Sequence, residues 1–246
     1  AANYRAIGTL PAQIDEALGL RPGGSRPRVH WVEHHPAHLA SAFFVSPFES
    51  AAVLAIDGFG DFVSTSWGSG QGRRIDVRHR TFFPHSLGLL YLAVTQFLGF
   101  DGYGDEFKVM GLAPYGRPRH VETVRQLIRL RTHGRFELDL SFFQHWNGSV
   151  AMTWNDGVPT IGRVFTPRFE ALLGPARRSD EPIDTRHEDI AASLQVVFEE
   201  AVFHVAREAA RVTRARAVCL AGGCAMNSVA NGKLVAETPF DAMYVQ

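Results

Sequence analysis

An α/β fold arranged in two lobes is predicted by three features of the chain. Two continuous apolar runs, Ala51 to Ile56 and Ala217 to Ala221, each lead into a glycine-bearing turn and have the composition of strands buried on both faces. Glu188 to Thr213 carries a helical apolar stripe about seven turns long through Ile190, Leu194, Val197, Phe198, Ala201, Val202 and Val205. Between the two runs, Arg117 to Arg186 loses clear periodicity and reads as an insertion or cap.

The remaining elements follow in order. Tyr4 to Leu20 has near-helical apolar spacing, weakened by Gly8 and Pro11, and Arg21 to Arg28 is a Pro/Gly/Arg linker. Val29 to Glu33 favours a short strand, and Pro36 suits the first turn of a helix spanning His38 to Phe44. After the strand Ala51 to Ile56 comes a turn, Asp57 to Asp61, then alternating segments Phe62 to Gly68 and Arg74 to Phe83 that complete a β-meander. Ser86 to Leu98 follows as a helix. Within the insertion Val121 to Leu130 is helical, among aromatic-polar stretches containing Phe142, Phe143, Trp146 and Trp154. Past the long helix and the strand Ala217 to Ala221, Gly222-Gly223 precedes a helix from Cys224 to Ala236. Phe240 to Val245 then begins another strand. A strand-forming run at the end of the chain predicts a fragment, with residues 1–116 as most of a first lobe, 117–186 as the cap and 187–246 as the start of a second lobe.

Composition narrows the class. The 246 residues carry 25 basic and 25 acidic side chains, so there is no cationic excess of the kind a dedicated nucleic-acid binder needs. Two cysteines, Cys219 and Cys224, do not make a disulfide scaffold. No apolar run approaches the ~20 residues of a membrane span, and no basic-then-apolar leader is evident at the start, so the expected compartment is the cytoplasm. Only Lys108 and Lys233 among the basic side chains are lysine, which singles them out, because ammonium and guanidinium are not interchangeable.

Four segments can carry chemistry. In His34-His35-Pro36-Ala37-His38, His34 and His38 stand four apart, so on a helix they share a face and can chelate one cation; the same cluster can also merely cap a helix. Ile56-Asp57-Gly58-Phe59-Gly60-Asp61 puts a carboxylate at a strand end among glycines that let backbone N–H groups approach an anion, or else forms a tight β-turn. Lys108 to Gly116 reads as a compact loop whose lysine can hold a phosphate or carboxylate. Gly222-Gly223 before a helix containing Asn227 has the layout of a nucleotide cradle, although it is neither a Walker A loop nor a complete GxGxxG.

Together, five ordered segments resemble the O-carbamoyltransferases that tailor nodulation factors and antibiotics, relatives of the hydrogenase-maturation carbamoyltransferase and the threonylcarbamoyl-tRNA enzymes. The segments are EHHPAHLASAFF (Glu33 to Phe44), AIDGFGDFVSTSWG (Ala55 to Gly68), PHSLGLLYLAVTQFLGF (Pro84 to Phe100), EFKVMGLAPYG (Glu106 to Gly116) and LAGGCAMNSVANGKL (Leu220 to Leu234). The resemblance implies an actin-like (ASKHA) two-lobed α/β fold with RNase H-like lobes, here incomplete at both ends. It implies a divalent metal, iron(II) foremost, on His34, His38 and Asp57, with His35 as a neighbour. It places ATP or carbamoyl adenylate against Gly58, Phe59, Gly60, Asp61, Gly116, Gly222, Gly223 and Asn227, and gives Lys108 the catalytic role of stabilising developing negative charge. Asp61 stands where glutamate is more usual, and Cys224 and Met226 replace commoner aliphatics.

The implied activity is ATP-dependent carbamoyl transfer from carbamoyl phosphate, through carbamoyl adenylate, to a hydroxyl of a small-molecule acceptor. The general base, a further metal-ligating aspartate and the adenylate-forming domain are expected outside this chain, so the chain alone is expected to be inactive. No nucleic acid or membrane is implied as a partner, and a homodimer is left open. The other readings are a hydrogenase-maturation or threonylcarbamoyl-type transferase, or a non-catalytic nucleotide-binding scaffold of the actin-like fold. The geometric expectations are that His34, His38 and Asp57 converge, and that the Gly222-Gly223 loop faces them across a cleft.

Overall fold

The computed structural model describes residues 2–20, 28–148, 150–155 and 158–246. Two units make up the chain, Ala1–Glu33 and His34–Gln246. In the first, the pattern around Ile7 to Leu18 does fold as a helix, α1 (Ala2–Ala17), with Pro11 inside it. Most of the linker, residues 21–27, lies outside the described residues. Val29 to Glu33 forms no strand, because β-favouring side chains make one only where a neighbouring strand accepts their hydrogen bonds.

The larger unit opens with α2 (His34–Phe43), four residues earlier than the sequence suggests. Pro36 falls in the first turn, where a missing N–H costs nothing, so the histidine pair begins the helix rather than preceding it. The meander follows as β1 (Ser50–Gly60), β2 (Val63–Gln71) and β3 (Arg74–Phe82), all antiparallel neighbours. The turn expected over Asp57 to Asp61 is shorter: β1 continues to Gly60, and only Asp61 and Phe62 reverse the chain, at φ of 51° and 64°. Ser86 caps α3 (Leu87–Phe97), its hydroxyl accepting from the Leu89 N–H.

Where a compact loop was expected, residues Glu106–Leu112 form the short helix α4, followed by a 3-10 turn over Ala113–Tyr115. The insertion then departs from its predicted helix. α5 (Val121–Val124) is a single turn, and Ile128–Arg131 becomes β4, paired with β5 (Arg135–Leu138) in a hairpin. A second hairpin joins β6 (Met152–Asn155) to β7 (Val158–Ile161), ahead of α6 (Pro167–Leu173). The predicted long helix is α7 (Thr185–Thr213), entered through an Asp184–His187 capping box. It leads to β8 (Ala217–Ala221), a 3-10 turn over Gly223–Met226, α8 (Ser228–Glu237) and β9 (Ala242–Val245).

The sheet has the order β3-β2-β1-β8-β9, with β1, β8 and β9 parallel. The strand predicted to open a second lobe lies hydrogen-bonded beside β1, Leu54 opposite Leu220, so residues on both sides of the insertion share one sheet. The insertion joins that body too, since Val124, Leu127, Phe136, Phe142 and Phe169 belong to the same apolar core as Leu54 and Leu220. A buried apolar strand carries no label for its neighbour; the crossover through α7 delivers β8 parallel to β1.

The sheet's two faces are packed differently. Ala51, Val53, Ala55, Cys219 and Ala221 face α2 through Leu39, Ala42 and Phe43, where Gly70 has no side chain because a Cβ there would come within 2.7 Å of the Phe43 ring. Ala52, Leu54, Ile56, Val218 and Leu220 face α3 and α7. Alternation along β1 therefore sends Asp57, next after Ile56, to the α2 side.

Candidate metal centre

Because β1 and β8 are parallel neighbours, their C-terminal ends emerge side by side, the usual place for a ligand crevice in an open α/β sheet. At that edge His34 Nε2 and His38 Nε2 lie 2.9 Å and 3.0 Å from the same oxygen, Asp57 Oδ2. Their rings meet edge to face with centroids 4.5 Å apart. The other carboxylate oxygen, Oδ1, accepts the backbone N–H of Gly58 at 2.8 Å and of Gly223 at 3.3 Å. One oxygen is thus held by backbone while the other is presented to both imidazoles.

Burial raises the Asp57 carboxyl, but hydrogen bonds from His34, the Gly58 N–H and His38 outweigh it and hold the group below its ordinary range. The carboxylate stays ionised at neutral pH. Two imidazole nitrogens and one carboxylate oxygen, all within 4.8 Å of one another, form a donor set that can hold a divalent transition metal. Two histidines and a carboxylate with open positions beyond them is the ligand type that suits non-haem iron(II).

Neighbouring residues fix this corner. Asp61 Oδ2 accepts the His34 N–H at 2.8 Å, so the aspartate that the sequence places in a phosphate turn secures the first residue of α2. Gly60 leaves room for the His34 ring, since a Cβ there would fall 2.0 Å from His34 Cδ2. The Ser86 hydroxyl lies 3.1 Å from the Asp57 carbonyl and 2.7 Å from that of Gly58, tying the end of β1 to the start of α3. Gly88 allows that approach, because a Cβ would lie 2.8 Å from Gly58 backbone. In sequence Ser86 reads only as the first residue of a helix; nothing in its spacing pointed to Asp57.

The glycine pair reaches the centre from the same sheet, not across a cleft. Gly222 has φ of 90° and lies against the Ile56 carbonyl, where a Cβ would come within 2.3 Å, and Gly223 supplies the N–H to Asp57.

Other residues singled out by sequence are placed elsewhere. Phe59 packs at a tilt against Phe83 and His145, with centroids at 5.3 Å and 6.3 Å. Gly116 packs against α7, where a Cβ would meet the Glu188 carbonyl at 2.1 Å. Asn227 is buried: its amide caps α8 through the Ala230 N–H and exchanges two 3.0 Å hydrogen bonds with Gln195. Lys108 sits on α4 with its ammonium 2.7 Å from Asp105 Oδ1, in no contact with the His34–His38–Asp57 cluster. Lys233, the other lysine, binds both oxygens of the Glu199 carboxylate at 2.9 Å and 2.8 Å.

Comparison with known proteins bears on these motifs. Nodulation protein NolNO of Sinorhizobium fredii is 37% identical over 222 residues, covering 89% of this chain and 29% of NolNO. Nodulation protein NolO of Bradyrhizobium diazoefficiens is 38% identical over 218 residues, covering 87% of this chain and 35% of NolO. An uncharacterised Synechocystis protein is 43% identical over 216 residues, 87% of this chain and 33% of that one. The crystal structure of T. kodakarensis HypF aligns with 97% of this chain and 35% of its own, at a TM-score of 0.40 and 18% identity. The chain thus spans about a third of the length of these relatives. Residues 16–246 match the family described as carbamoyltransferase N-terminus, and the chain belongs to that family.

Proposed function

We propose that this chain forms the metal-holding part of an ATP-dependent O-carbamoyltransferase acting on a small-molecule hydroxyl. The observation that carries the reading is the convergence of His34, His38 and Asp57 on one point at the sheet edge, in a member of a carbamoyltransferase family. In this reading the acceptor oxygen bonds to the carbamoyl carbon of carbamoyl adenylate, the carbon–oxygen bond to AMP breaks, and the hydroxyl proton passes to a base. The metal, iron(II) by its donor set, supplies Lewis acidity for a carbonyl or phosphate oxygen. The chain's own groups orient: backbone N–H groups of Gly58 and Gly223 hold Asp57, while Asp61 and Gly60 seat His34. Lys108 joins only by leaving Asp105, so its proposed charge-stabilising role belongs to a rearranged state.

Three antiparallel strands followed by two parallel ones, with helices on both faces, support reading the sheet as one RNase H-like lobe of an actin-like fold. In that reading both the glycine pair and the metal residues belong to the same lobe.

The test is metal analysis and calorimetric titration of iron(II) under argon, comparing the chain with Asp57→Ala and His38→Ala. Stoichiometric binding lost in both variants supports the reading, and absence of binding by the parent chain removes it. Product analysis with synthetic carbamoyl adenylate and polyhydroxylated acceptors, performed on the whole protein, then tests the transfer itself. Formation of AMP without a carbamoylated acceptor would exclude hydroxyl transfer.

A further inference from the structure

His34 and His38 share one notable lack: among the described residues neither ring has a hydrogen-bond partner beyond Asp57. Metal-binding imidazoles are ordinarily aimed by a second hydrogen bond from the other ring nitrogen. Here the direction of both rings is inherited from the rotation of α2 about its axis, and successive residues on a helix are 100° apart by geometry. Something must fix that rotation, and apolar packing of Leu39, Ala42 and Phe43 tolerates sliding more readily than a directed polar contact does.

The residue between the ligands supplies such a contact. His35 is only 1% exposed, and both of its ring nitrogens are occupied by β2: Nε2 lies 2.9 Å from the Val63 carbonyl and Nδ1 3.0 Å from Ser66 Oγ. A carbonyl only accepts, so Nε2 carries the proton and Nδ1 accepts from the Ser66 hydroxyl. Ser66 is itself fully buried and opposite Ala55, two residues before Asp57, so the contact references α2 to the strands that carry the carboxylate.

We propose that His35, held by Ser66 and the Val63 carbonyl, is a positioning residue for the metal centre, setting the rotation of α2 that aims His34 and His38 at Asp57. It makes no bond to the metal. This inference rests on the metal-centre reading, and the two fail differently.

The experiment uses cobalt(II) alone as probe, on the full chain, reading the d–d absorption spectrum and the dissociation constant. The variants are His35→Gln and the gentler Ser66→Ala, which removes one hydroxyl from a site where the ring is still held by Val63. Outer-shell partners typically contribute about 10–100-fold to metal affinity. Weakening of at least about 10-fold in His35→Gln is expected. Ser66→Ala should weaken binding and change the band pattern while circular dichroism and the unfolding midpoint without metal show a folded chain. Should His35→Gln not fold, Ser66→Ala decides. A folded Ser66→Ala with the parent's affinity and spectrum overturns the proposal and leaves the metal centre standing. A parent chain that binds no cobalt overturns both.

Discussion

A carboxylate shared by two imidazoles depends on very small clearances, and Gly60 sets the tightest of them. It has no Cβ, and one added there would fall 2.0 Å from His34 Cδ2, so Gly60→Ala must push that ring away from Asp57. The expected outcome is a metal affinity reduced by about 10-fold or more with the fold retained, checked by metal titration beside circular dichroism; unchanged affinity would show that α2 moves freely. Burial also governs protons at this scale. His35 is pushed down to about 4 mainly by desolvation, and His79, His85, His145 and His187 are lowered for the same first reason. Below the ordinary histidine range the unfolded chain takes up protons that the folded chain refuses, so stability is full above pH ~6.5 and falls as the pH drops toward 4. His35 alone accounts for a loss on the order of 3 kcal/mol across that window. Urea unfolding between pH 7.5 and pH 4.5 checks this, and a flat profile would contradict the burial argument. The histidine spacing and the strand-end aspartate were legible in the sequence because their geometry is local. The hold of Asp61 on the His34 N–H and the turn of Asn227 into the core were not, since each depends on a partner supplied by folding.

Elements are locked together by a buried polar chain that no single motif announces. The Tyr91 hydroxyl donates to Gln195 Oε1 from α3 to α7, Gln195 pairs with Asn227 at the start of α8, and Gln195 Nε2 also reaches Glu199, which Lys233 neutralises. Every amide atom in the Gln195–Asn227 pair has a partner, which is the condition for a buried network to stabilise rather than weaken a core. Removing one member leaves the others stranded. Asn227→Ala forfeits a helix cap worth about 1 kcal/mol and leaves the Gln195 amide short of partners at about 1–3 kcal/mol, so a total near 2–4 kcal/mol is expected. Chemical denaturation measures it, with the Gln195→Ala and Asn227→Ala double variant costing less than the sum of the singles; strict additivity would mean the pair is not coupled. Since the network seats the turn that carries Gly223, Asn227→Ala should also loosen the Gly223 N–H on Asp57. Element type followed the periodicity where it was long, as in α7. It failed where apolar runs were short: Ile128 to Leu130 continues a helical pattern yet pairs with Phe136 to Leu138, a contact that periodicity does not encode.

At the scale of the whole molecule, the decisive fact is that β8 lies beside β1 although 156 residues separate Gly60 from Ala217 in the chain. Two lobes and one sheet predict different unfolding behaviour. In separate lobes, strands open independently, each with its own free energy. In one sheet, the amides of Val53, Leu54 and Ala55 and those of Val218, Cys219 and Leu220 sit in adjoining ladders with almost fully buried side chains, so breaking one exposes the other. Native-state hydrogen exchange of the chain should therefore give β1 and β8 the same opening free energy, equal to that of global unfolding. β9 lies at the edge and its residues are only half-buried, so it should exchange through smaller openings, and the hairpin of β6 and β7 should behave likewise as a two-stranded sheet of its own. Leu54→Ala supplies the second arm. Leu54 is 0% exposed, so its truncation should cost about 2–5 kcal/mol, and protection of Leu220 on the neighbouring strand should fall by that same amount. If Leu220 keeps its protection while β1 loses its own, β8 folds apart from β1, and the shared sheet edge that brings Gly223 to Asp57 is not a stable feature of the molecule.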